Sequence, residues 1–165
     1  MGVSHIRNGF QSIPYVYFAS DNSDMKTELK LLIQNRLSDL IELTKKADGF
    51  MESHHLSTEI VYKVHLILEE VLTNIIKYAY EDTLKHDIKI EMILKDNELV
   101  LEFEDDGEEF DPLAAPVPKN RESVSESAVG GLGIHLVKQM VDGIEYRRYN
   151  GRNILKARVG LGFVG

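Results

Sequence analysis

Hydrophobic residues in the first third of the chain change their spacing and predict one strand followed by one helix. Bulky residues alternate over positions 13–19, which is typical of a strand. A run rich in Ser and Asp at positions 20–24 interrupts this pattern and can cap a helix. The helix is predicted to extend from there to about Lys46, and residues 47–55 are predicted to be a loop. Its apolar positions are Leu29, Leu32, Ile33, Leu37, Leu40 and Ile41.

A second, longer amphipathic helix is predicted in the middle of the chain. Ser57 is a suitable N-cap, and Glu59 adds a negative charge in the first turn, near the positive end of the helix dipole. The helical pattern ends near Glu81. Its apolar stripe comprises Ile60, Val64, Ile67, Leu68, Val71, Ile75 and Tyr78.

Two later parts of the chain alternate apolar and polar residues with a period of two, which predicts two hairpins. The first hairpin turns at Asp96-Asn97. The second turns at Asn150-Gly151, and an Asn-Gly pair between alternating segments is the strongest short-range hairpin signal. The four strands are predicted at residues 88–94, 99–104, 144–149 and 152–159.

A long loop and a glycine-rich helix start separate the two hairpins. Residues 112–129 contain Pro112, Pro116 and Pro118 and show no periodic pattern. Loops longer than about 12–15 residues in compact domains are usually functional or disordered. The sequence Gly-Gly-Leu-Gly at 130–133 ends the loop and opens a helix predicted over 134–141.

These elements predict an α+β fold. Short turns between strands produce antiparallel pairs, and strands that are apolar on one side need a layer of helices on that side only. We therefore expect a two-layer sandwich with a mostly antiparallel sheet and the helices on one face. Residues 13–165 are predicted to form a single domain, and residues 1–12 a flexible N-terminal extension.

Composition and charge narrow the possible functions. The 165 residues include no cysteine, which excludes a disulfide scaffold, a thiolate metal site and a cysteine nucleophile. The net charge of −8 argues against general nucleic-acid binding. No apolar run approaches the roughly 20 residues that span a bilayer, and the N-terminus does not resemble a signal peptide. We expect a cytoplasmic protein that binds neither nucleic acid nor membrane directly.

Two acidic constellations could carry chemistry. Glu70 and Asn74 are four residues apart on the second helix and share a face, with Lys77 one turn further on. A carboxylate beside an amide suits Mg²⁺, and the carboxylate could also accept a proton from an attacking hydroxyl. An exposed pair without function is the alternative. Residues 102–111 hold seven carboxylates, with Asp105 at the end of a strand and Gly107 able to turn the chain sharply; a merely solubilising acidic turn is the alternative.

The glycine-rich helix start is the third constellation. Backbone N–H groups at such a junction form an anion site, although a plain loop-to-helix junction would have the same sequence. In this order, the three constellations would together bind a nucleotide. The helix carrying Glu70 and Asn74 would hold metal and phosphates, Asp105 the base and the glycines the phosphate tail, and residues 112–129 would form a lid.

At these motifs the chain resembles the GHKL ATP-binding superfamily, and within it the small anti-sigma-factor serine/threonine kinases. The segment LILEEVLTNIIKYAY at 66–80 resembles the N box, with its Glu-x-x-x-Asn signature. The segment DDGEEFDP at 105–112 resembles the first glycine box, and GGLGIHLV at 130–137 resembles the second. The closing hairpin at 145–153 is also similar, so that the resemblance covers roughly residues 13–160.

The resemblance implies a Bergerat-type ATP-binding fold and specific roles for single residues. Glu70 would be the general base toward a protein serine, and Asn74 would coordinate Mg²⁺. Asp105 would bind the adenine amino group, and Gly107 would make room for the base. The remaining residues implied to contact the cofactor are Lys77, Phe110, Gly130, Gly131, Leu132, Gly133 and Ile134.

The implied function is that of an anti-sigma factor with Mg-ATP-dependent serine kinase activity toward an anti-sigma factor antagonist. The implied partners are that antagonist, a sigma factor and, in some members, a second copy in a homodimer. One position departs from the superfamily pattern Asp-x-Gly-x-Gly, because Glu109 stands at the second glycine. This departure favours the alternative of a non-catalytic nucleotide-binding switch that sequesters a sigma factor or another regulatory partner. The ATP domain of a histidine kinase is a third alternative; it would require a separate helical segment bearing the phosphorylated histidine.

Two groups of residues are predicted to have no role in this chemistry. The six histidines lack metal-ligand spacing and are interpreted as structural or surface residues. Arg147, Arg148 and Arg152 of the closing hairpin are interpreted as a solvated edge that discourages sheet addition, with docking of an acidic partner as the alternative.

Overall fold

The computed structural model describes residues 27–114 and 129–162 and contains one antiparallel sheet covered by helices. The sheet has the strand order β1-β2-β3-β5-β4, in which every neighbouring pair is antiparallel. Within the described ranges, no helix combines the length and apolar character needed to cross a membrane. The elements are β1 Thr27–Gln34, α1 Asp39–Ser53, α2 Thr58–Tyr78, β2 Asp87–Lys95, β3 Glu98–Asp105, α3 Val129–Met140, β4 Gly143–Tyr149 and β5 Arg152–Gly160.

The core lies between the helices and one face of the sheet, which confirms the predicted two-layer α+β fold. Alternate residues of the strands are buried, and register aligns them in rows across the sheet. One row consists of Leu31, Ile90, Phe103 and Leu155, all at most 6% exposed. Burial of such side chains stabilises the fold by about 1.5–3 kcal/mol each.

The opposite face of the sheet is charged. Cross-strand ion pairs join Lys30 to Glu91 at 3.3 Å and Lys156 to Glu102 at 2.8 Å. Each such surface pair contributes at most about 1 kcal/mol. The side chains of these pairs are partly exposed to water, in agreement with strands that are apolar on one side only.

The first predicted helix is wrong in both its start and its end. Residues 27–34 form a strand because Leu29, Leu31 and Ile33 bury their side chains against the helices while β1 pairs along its length with β2. A short apolar run fits a period of 2 or 3.6, and here the partner strand decides. The predicted strand at 13–19 lies outside the described residues.

The predicted loop at 47–55 is also wrong, because α1 extends to Ser53. Leu43, Ala47, Phe50 and Met51 form the buried face of this helix. Gly49 lies within the helix and weakens it by about 1 kcal/mol relative to Ala. The burial of Phe50 and Met51 outweighs that penalty.

The remaining helices and strands lie close to the positions that the sequence predicts. Ser57 caps α2 as predicted, since its side chain accepts a hydrogen bond from the backbone N–H of Ile60 at 3.4 Å. Asn150 and Gly151 both have positive φ, as a tight two-residue hairpin turn requires. However, α3 begins at Val129 rather than at 134, so the glycine-rich sequence lies inside the helix and not in the loop before it.

Candidate functional site

The helix α2 carries the acidic residue and the amide of the first constellation. Glu70 and Asn74 are both half-buried and lie one turn apart, beside the apolar stripe that includes Ile67 and Val71. Lys77 is exposed one turn further on. The stripe packs into the core and therefore fixes which way this polar face of α2 points.

The carboxylate of Glu70 lies directly against Gly133 of α3. A Cβ added at Gly133 would overlap the Oε2 atom of Glu70, so only glycine leaves room for this carboxylate. Burial raises the pKa of Glu70, the nearby charge of Glu69 raises it further, and Lys77 opposes the rise. Glu70 is consequently a stronger proton acceptor than an exposed glutamate.

Asp105 ends β3 as a buried carboxylate, with 4% of its surface exposed. It follows Leu101 and Phe103 in the alternation and therefore faces the helices. Its Oδ1 accepts hydrogen bonds from the backbone N–H of Gly107 at 2.9 Å and from the side chain of Asn153 at 2.8 Å. Neither of these bonds uses Oδ2. Burial raises the pKa of Asp105, and the two hydrogen bonds counteract that rise by stabilising the ionised form.

The turn after Asp105 packs against the C-terminal end of α2. A Cβ added at Gly107 would lie 2.5 Å from the carbonyl oxygen of Ala79, which is too close for any other residue. The same carbonyl accepts a hydrogen bond from the backbone N–H of Glu108 at 2.9 Å. Because Gly107 has no side chain, the backbone of the turn can lie in contact with the end of α2.

Asn153, Arg148 and Tyr146 of the closing hairpin join this site, which the sequence interpretation missed. Asn153 is 7% exposed and donates to Asp105 and to the carbonyl of Glu108, both at 2.8 Å. Its own Oδ1 accepts from Tyr146 at 2.8 Å and from Arg148 at 2.7 Å. The prediction that Arg148 forms part of a solvated edge is therefore wrong. The Asn-Gly turn could have signalled the contact between Arg148 and Asn153, because a two-residue turn places them opposite each other.

The glycine-rich sequence forms the first turns of α3. Gly130, Gly131 and Leu132 lie at the N-terminus, where the first four N–H groups of a helix lack intrahelical acceptors. Such a helix start can bind an anion through these groups. Ile134 is 4% exposed and its side chain belongs to the hydrophobic core.

The segment that follows the Asp105 turn runs over the surface toward α3. Phe110 is 59% exposed, and Glu109 is exposed beside it. The carbonyl of Leu113 accepts a hydrogen bond from the Lys138 ammonium group of α3 at 2.6 Å. The predicted lid is described only at its two ends, since residues 115–128 lie outside the described part of the chain.

His86 stabilises the loop between α2 and β2. The sequence interpretation predicted no specific contact for this residue. Its ring stacks on Tyr80 with centroids 4.1 Å apart. One ring nitrogen contacts Asp82 at 3.0 Å and the other contacts Asp106 at 3.2 Å. These carboxylates, Asp82 foremost, raise the pKa of His86.

The three constellations meet along one stretch of α2. The glycine-rich helix contacts it at Glu70, and the Asp105 turn contacts it at Ala79, nine residues further. At 1.5 Å per residue these contacts are about 14 Å apart, and Asn74 lies between them. The sequence-based expectation that these motifs converge agrees with this arrangement.

The carboxylate of Glu70 and the amide oxygen of Asn74 are the type of ligand that Mg²⁺ takes in proteins. Among the described residues, no group of three or more His, Cys, Asp or Glu side chains could hold a metal ion by itself. Mg²⁺ usually keeps several waters and binds through one or two protein oxygens together with substrate phosphates. The side chains of Asn74 and Glu70 fit that mode of binding, and do not fit an all-protein cage.

Three comparisons with known proteins show what this chain is similar to. The chain is 29% identical, over 60% of its length and 70% of the relative's, to the serine/threonine-protein kinase BtrW of Bordetella bronchiseptica. The histidine kinase domain of the blue-light activated histidine kinase EL346 of Erythrobacter litoralis matches with 18% identity and a TM-score of 0.48, over 62% of this chain and 45% of that one. Residues 33–159 match the family described as the histidine kinase-like ATPase domain. Because this match covers more than half of the sequence, the chain belongs to the family of histidine kinase-like ATPase domains.

Proposed function

We propose that the chain is an anti-sigma factor that uses Mg-ATP to phosphorylate a serine of a small antagonist protein. In this proposal it binds a sigma factor once the antagonist is phosphorylated. Membership of an ATPase-domain family supports ATP binding, and similarity to a serine/threonine-protein kinase supports the transfer to a hydroxyl. The observation that carries the catalytic part is the half-buried carboxylate of Glu70, one turn from Asn74 and directly against α3.

The adenine end of the proposed site is the turn around Asp105. An ionised carboxylate only accepts hydrogen bonds, and its Oδ2 is not used by the bonds that hold Oδ1. We assign Oδ2 to the adenine amino group. The backbone at Gly107 and the exposed ring of Phe110 would border the adenine. The missing side chain of Gly107 makes room for the end of α2 at Ala79, and not for the base as the resemblance implied.

The phosphate end of the proposed site is the start of α3. We assign the phosphates to backbone N–H groups of the glycine-rich helix start, where the helix dipole also favours negative charge. Asn74 would hold Mg²⁺, and the exposed Lys77 would add a positive charge nearby. The backbone N–H groups assigned to this end are those of Gly130, Gly131 and Leu132. The N–H groups of Gly133 and Ile134, which the sequence also predicted to contact the cofactor, lie past the first four positions of α3 and donate within the helix.

The proposed reaction asks mainly for positioning and for one proton acceptor. The serine oxygen would form a bond to the γ-phosphorus of ATP while the bond from that phosphorus to the bridging oxygen breaks and ADP leaves. Bound Mg²⁺ would neutralise the charge that develops on the phosphates. The carboxylate of Glu70 accepts the proton of the attacking serine hydroxyl. Its raised pKa makes that transfer more favourable than it would be for an exposed carboxylate.

Transfer of labelled phosphate from ATP to the cognate antagonist, in the presence of Mg²⁺, tests the proposal directly. Glu70→Gln should lower the transfer rate by about 10²–10⁴-fold, the usual contribution of a general base, with ATP still bound. Glu59→Gln is the matched control, because it removes the same charge from an exposed residue of α2 that lies about three turns from Glu70. Absence of transfer by the unaltered chain with its correct partner would refute the catalytic proposal.

A non-catalytic nucleotide switch is the second candidate, and Glu109 favours it. This exposed carboxylate replaces the second glycine of the superfamily pattern in the turn proposed to contact ATP. Calorimetry with ATP, with and without Mg²⁺, separates nucleotide binding from catalysis. Heat of binding and a stable partner complex without phosphate transfer would establish the switch. A titration without heat would exclude both candidates.

A further inference from the structure

The buried carboxylate of Asp105 belongs to a polar row that crosses three strands. Register pairs Asp105 of β3 with Asn153 of β5, and pairs Asn153 with Arg148 of β4. Arg148 also reaches past its neighbour and donates from Nη1 to the carbonyl of Gly107 at 2.8 Å. The hairpin therefore holds both the carboxylate and the turn that follows it.

The orientation of the Asn153 amide is determined by its partners. A guanidinium group can only donate hydrogen bonds, so the atom of Asn153 that faces Arg148 must be the oxygen. The NH₂ group then faces Asp105 and the carbonyl of Glu108, which are both acceptors. Tyr146 fills the remaining site on the oxygen. With two bonds accepted and two donated, the amide is fully satisfied, and a flip would oppose donor to donor.

This orientation fixes what Asp105 can offer to a ligand. Asn153 and the N–H of Gly107 both donate to Oδ1, which stabilises the ionised carboxylate despite its burial. An ionised carboxylate accepts at Oδ2 and cannot donate. A base with an amino group at that point is bound, and a base with a carbonyl oxygen there is repelled.

We infer that Arg148 and Asn153 are positioning residues that set the preference for a base with an exocyclic amino group over one with a carbonyl group. The inference rests on the proposed function, in which Asp105 meets the base. It goes beyond that function because it assigns base selectivity to the β4–β5 hairpin, which does not itself have to touch the ligand.

Calorimetric affinities for ATP and for inosine triphosphate, which carries a carbonyl in place of the amino group, test the inference. The unaltered chain should prefer ATP by about 10–100-fold, the value of one hydrogen bond to a charged group. Arg148→Ala should reduce that preference by about tenfold or more. Arg147→Ala is the matched control, because it removes the same charge from the adjacent, exposed position of β4 and should leave the preference unchanged.

A second variant keeps the test informative if Arg148→Ala folds poorly. Asn153→Asp preserves the size of the side chain and its hydrogen bonds from Tyr146 and Arg148. It replaces the NH₂ group that donates to Asp105 by the oxygen of a second carboxylate. One carboxyl of such a pair holds a proton, and when that proton is on Oδ2 of Asp105 this atom donates to a carbonyl and no longer accepts from an amino group. The ratio of the affinities for ATP and inosine triphosphate should then fall, and it should fall further at lower pH.

The outcomes distinguish this inference from the proposed function. If the unaltered chain binds neither nucleotide, the proposed function is wrong. If it prefers ATP and both variants keep the same ratio of affinities, the inference is wrong. Equal weakening of both nucleotides by Arg148→Ala and Asn153→Asp would assign the two residues a merely structural role and would also overturn the inference.

Discussion

Replacement of Gly133 by alanine should separate the position of the Glu70 carboxylate from the rest of the site. The new Cβ would overlap Oε2 and crowd Cδ of Glu70. The backbone of α3 does not need to move, because the crowded atoms belong to the far end of a flexible side chain. We therefore expect the carboxylate to swing out of the contact between α2 and α3 while the helix itself persists.

The size of the effect follows from the geometry. Ordinary contact between carbon atoms is about 3.5–4.0 Å, so the carboxylate must move by more than about 1 Å. A misplacement of about 1 Å can lower a rate by about 10²-fold, and loss of a general base lowers it by about 10²–10⁴-fold. Helix propensity changes in the opposite direction, since alanine stabilises a helix by about 0.8–1.0 kcal/mol relative to glycine.

Two measurements check this prediction. Phosphate transfer should fall by at least about 100-fold, and carbon-detected NMR should show the pKa of Glu70 moving down toward its usual value as burial is relieved. Gly49→Ala is the matched control, because a Cβ at Gly49 has nothing within 4 Å and lies in the helix α1. An unchanged pKa of Glu70 together with unchanged transfer in Gly133→Ala would refute the reasoning.

Three further perturbations test other parts of the site. Asp105→Asn should weaken ATP binding by about 10–100-fold, because its NH₂ group would face the adenine amino group and both are donors. Thermal stability should not fall, because the substitution removes a buried charge. Unchanged affinity for ATP by calorimetry would contradict this prediction. Gly107→Ala should destabilise the fold by about 1–3 kcal/mol in urea denaturation, because its Cβ meets the backbone of Ala79 at 2.5 Å; full stability would contradict the contact. The pKa of His86 is raised by its carboxylate partners, Asp82 foremost, so its contribution to stability is complete below about pH 6.5 and is lost as pH rises through the higher folded value. Denaturation midpoints should fall more between about pH 6 and pH 8 in the unaltered chain than in His86→Gln; equal slopes would exclude this role.

Local sequence signals predicted those elements whose cause is local. Ser57 caps α2 because a side-chain oxygen can satisfy the first free N–H groups wherever a helix starts. Asn150-Gly151 makes a tight turn because both residues tolerate positive φ. The strand predicted at 99–104 is confirmed, and in the structure its alternation continues one residue further, so that the carboxylate of Asp105 faces inward.

Two of the errors occurred where a distant segment decides. The short apolar run of residues 27–34 fits either period, and its pairing with β2 makes it a strand. The helix α3 starts earlier than predicted, and Gly133 within it permits close contact with Glu70 of α2. The local sequence pattern carries no information about the pairing of residues 27–34 with β2 or about the packing of α3 against α2.

The sequence by itself determined which residues could do the chemistry of this protein, because an acid and an amide at helical spacing, an Asp-x-Gly turn and a glycine-rich helix start are local properties. The two-residue Asn-Gly turn also places Arg148 opposite Asn153, a local consequence that the sequence interpretation did not use. Only the tertiary structure decided that β5 lies beside β3 and brings Asn153 to Asp105, and that α3 lies against Glu70. The physical reason is that strand order and helix packing depend on the burial of the whole apolar face at once, which no single segment encodes.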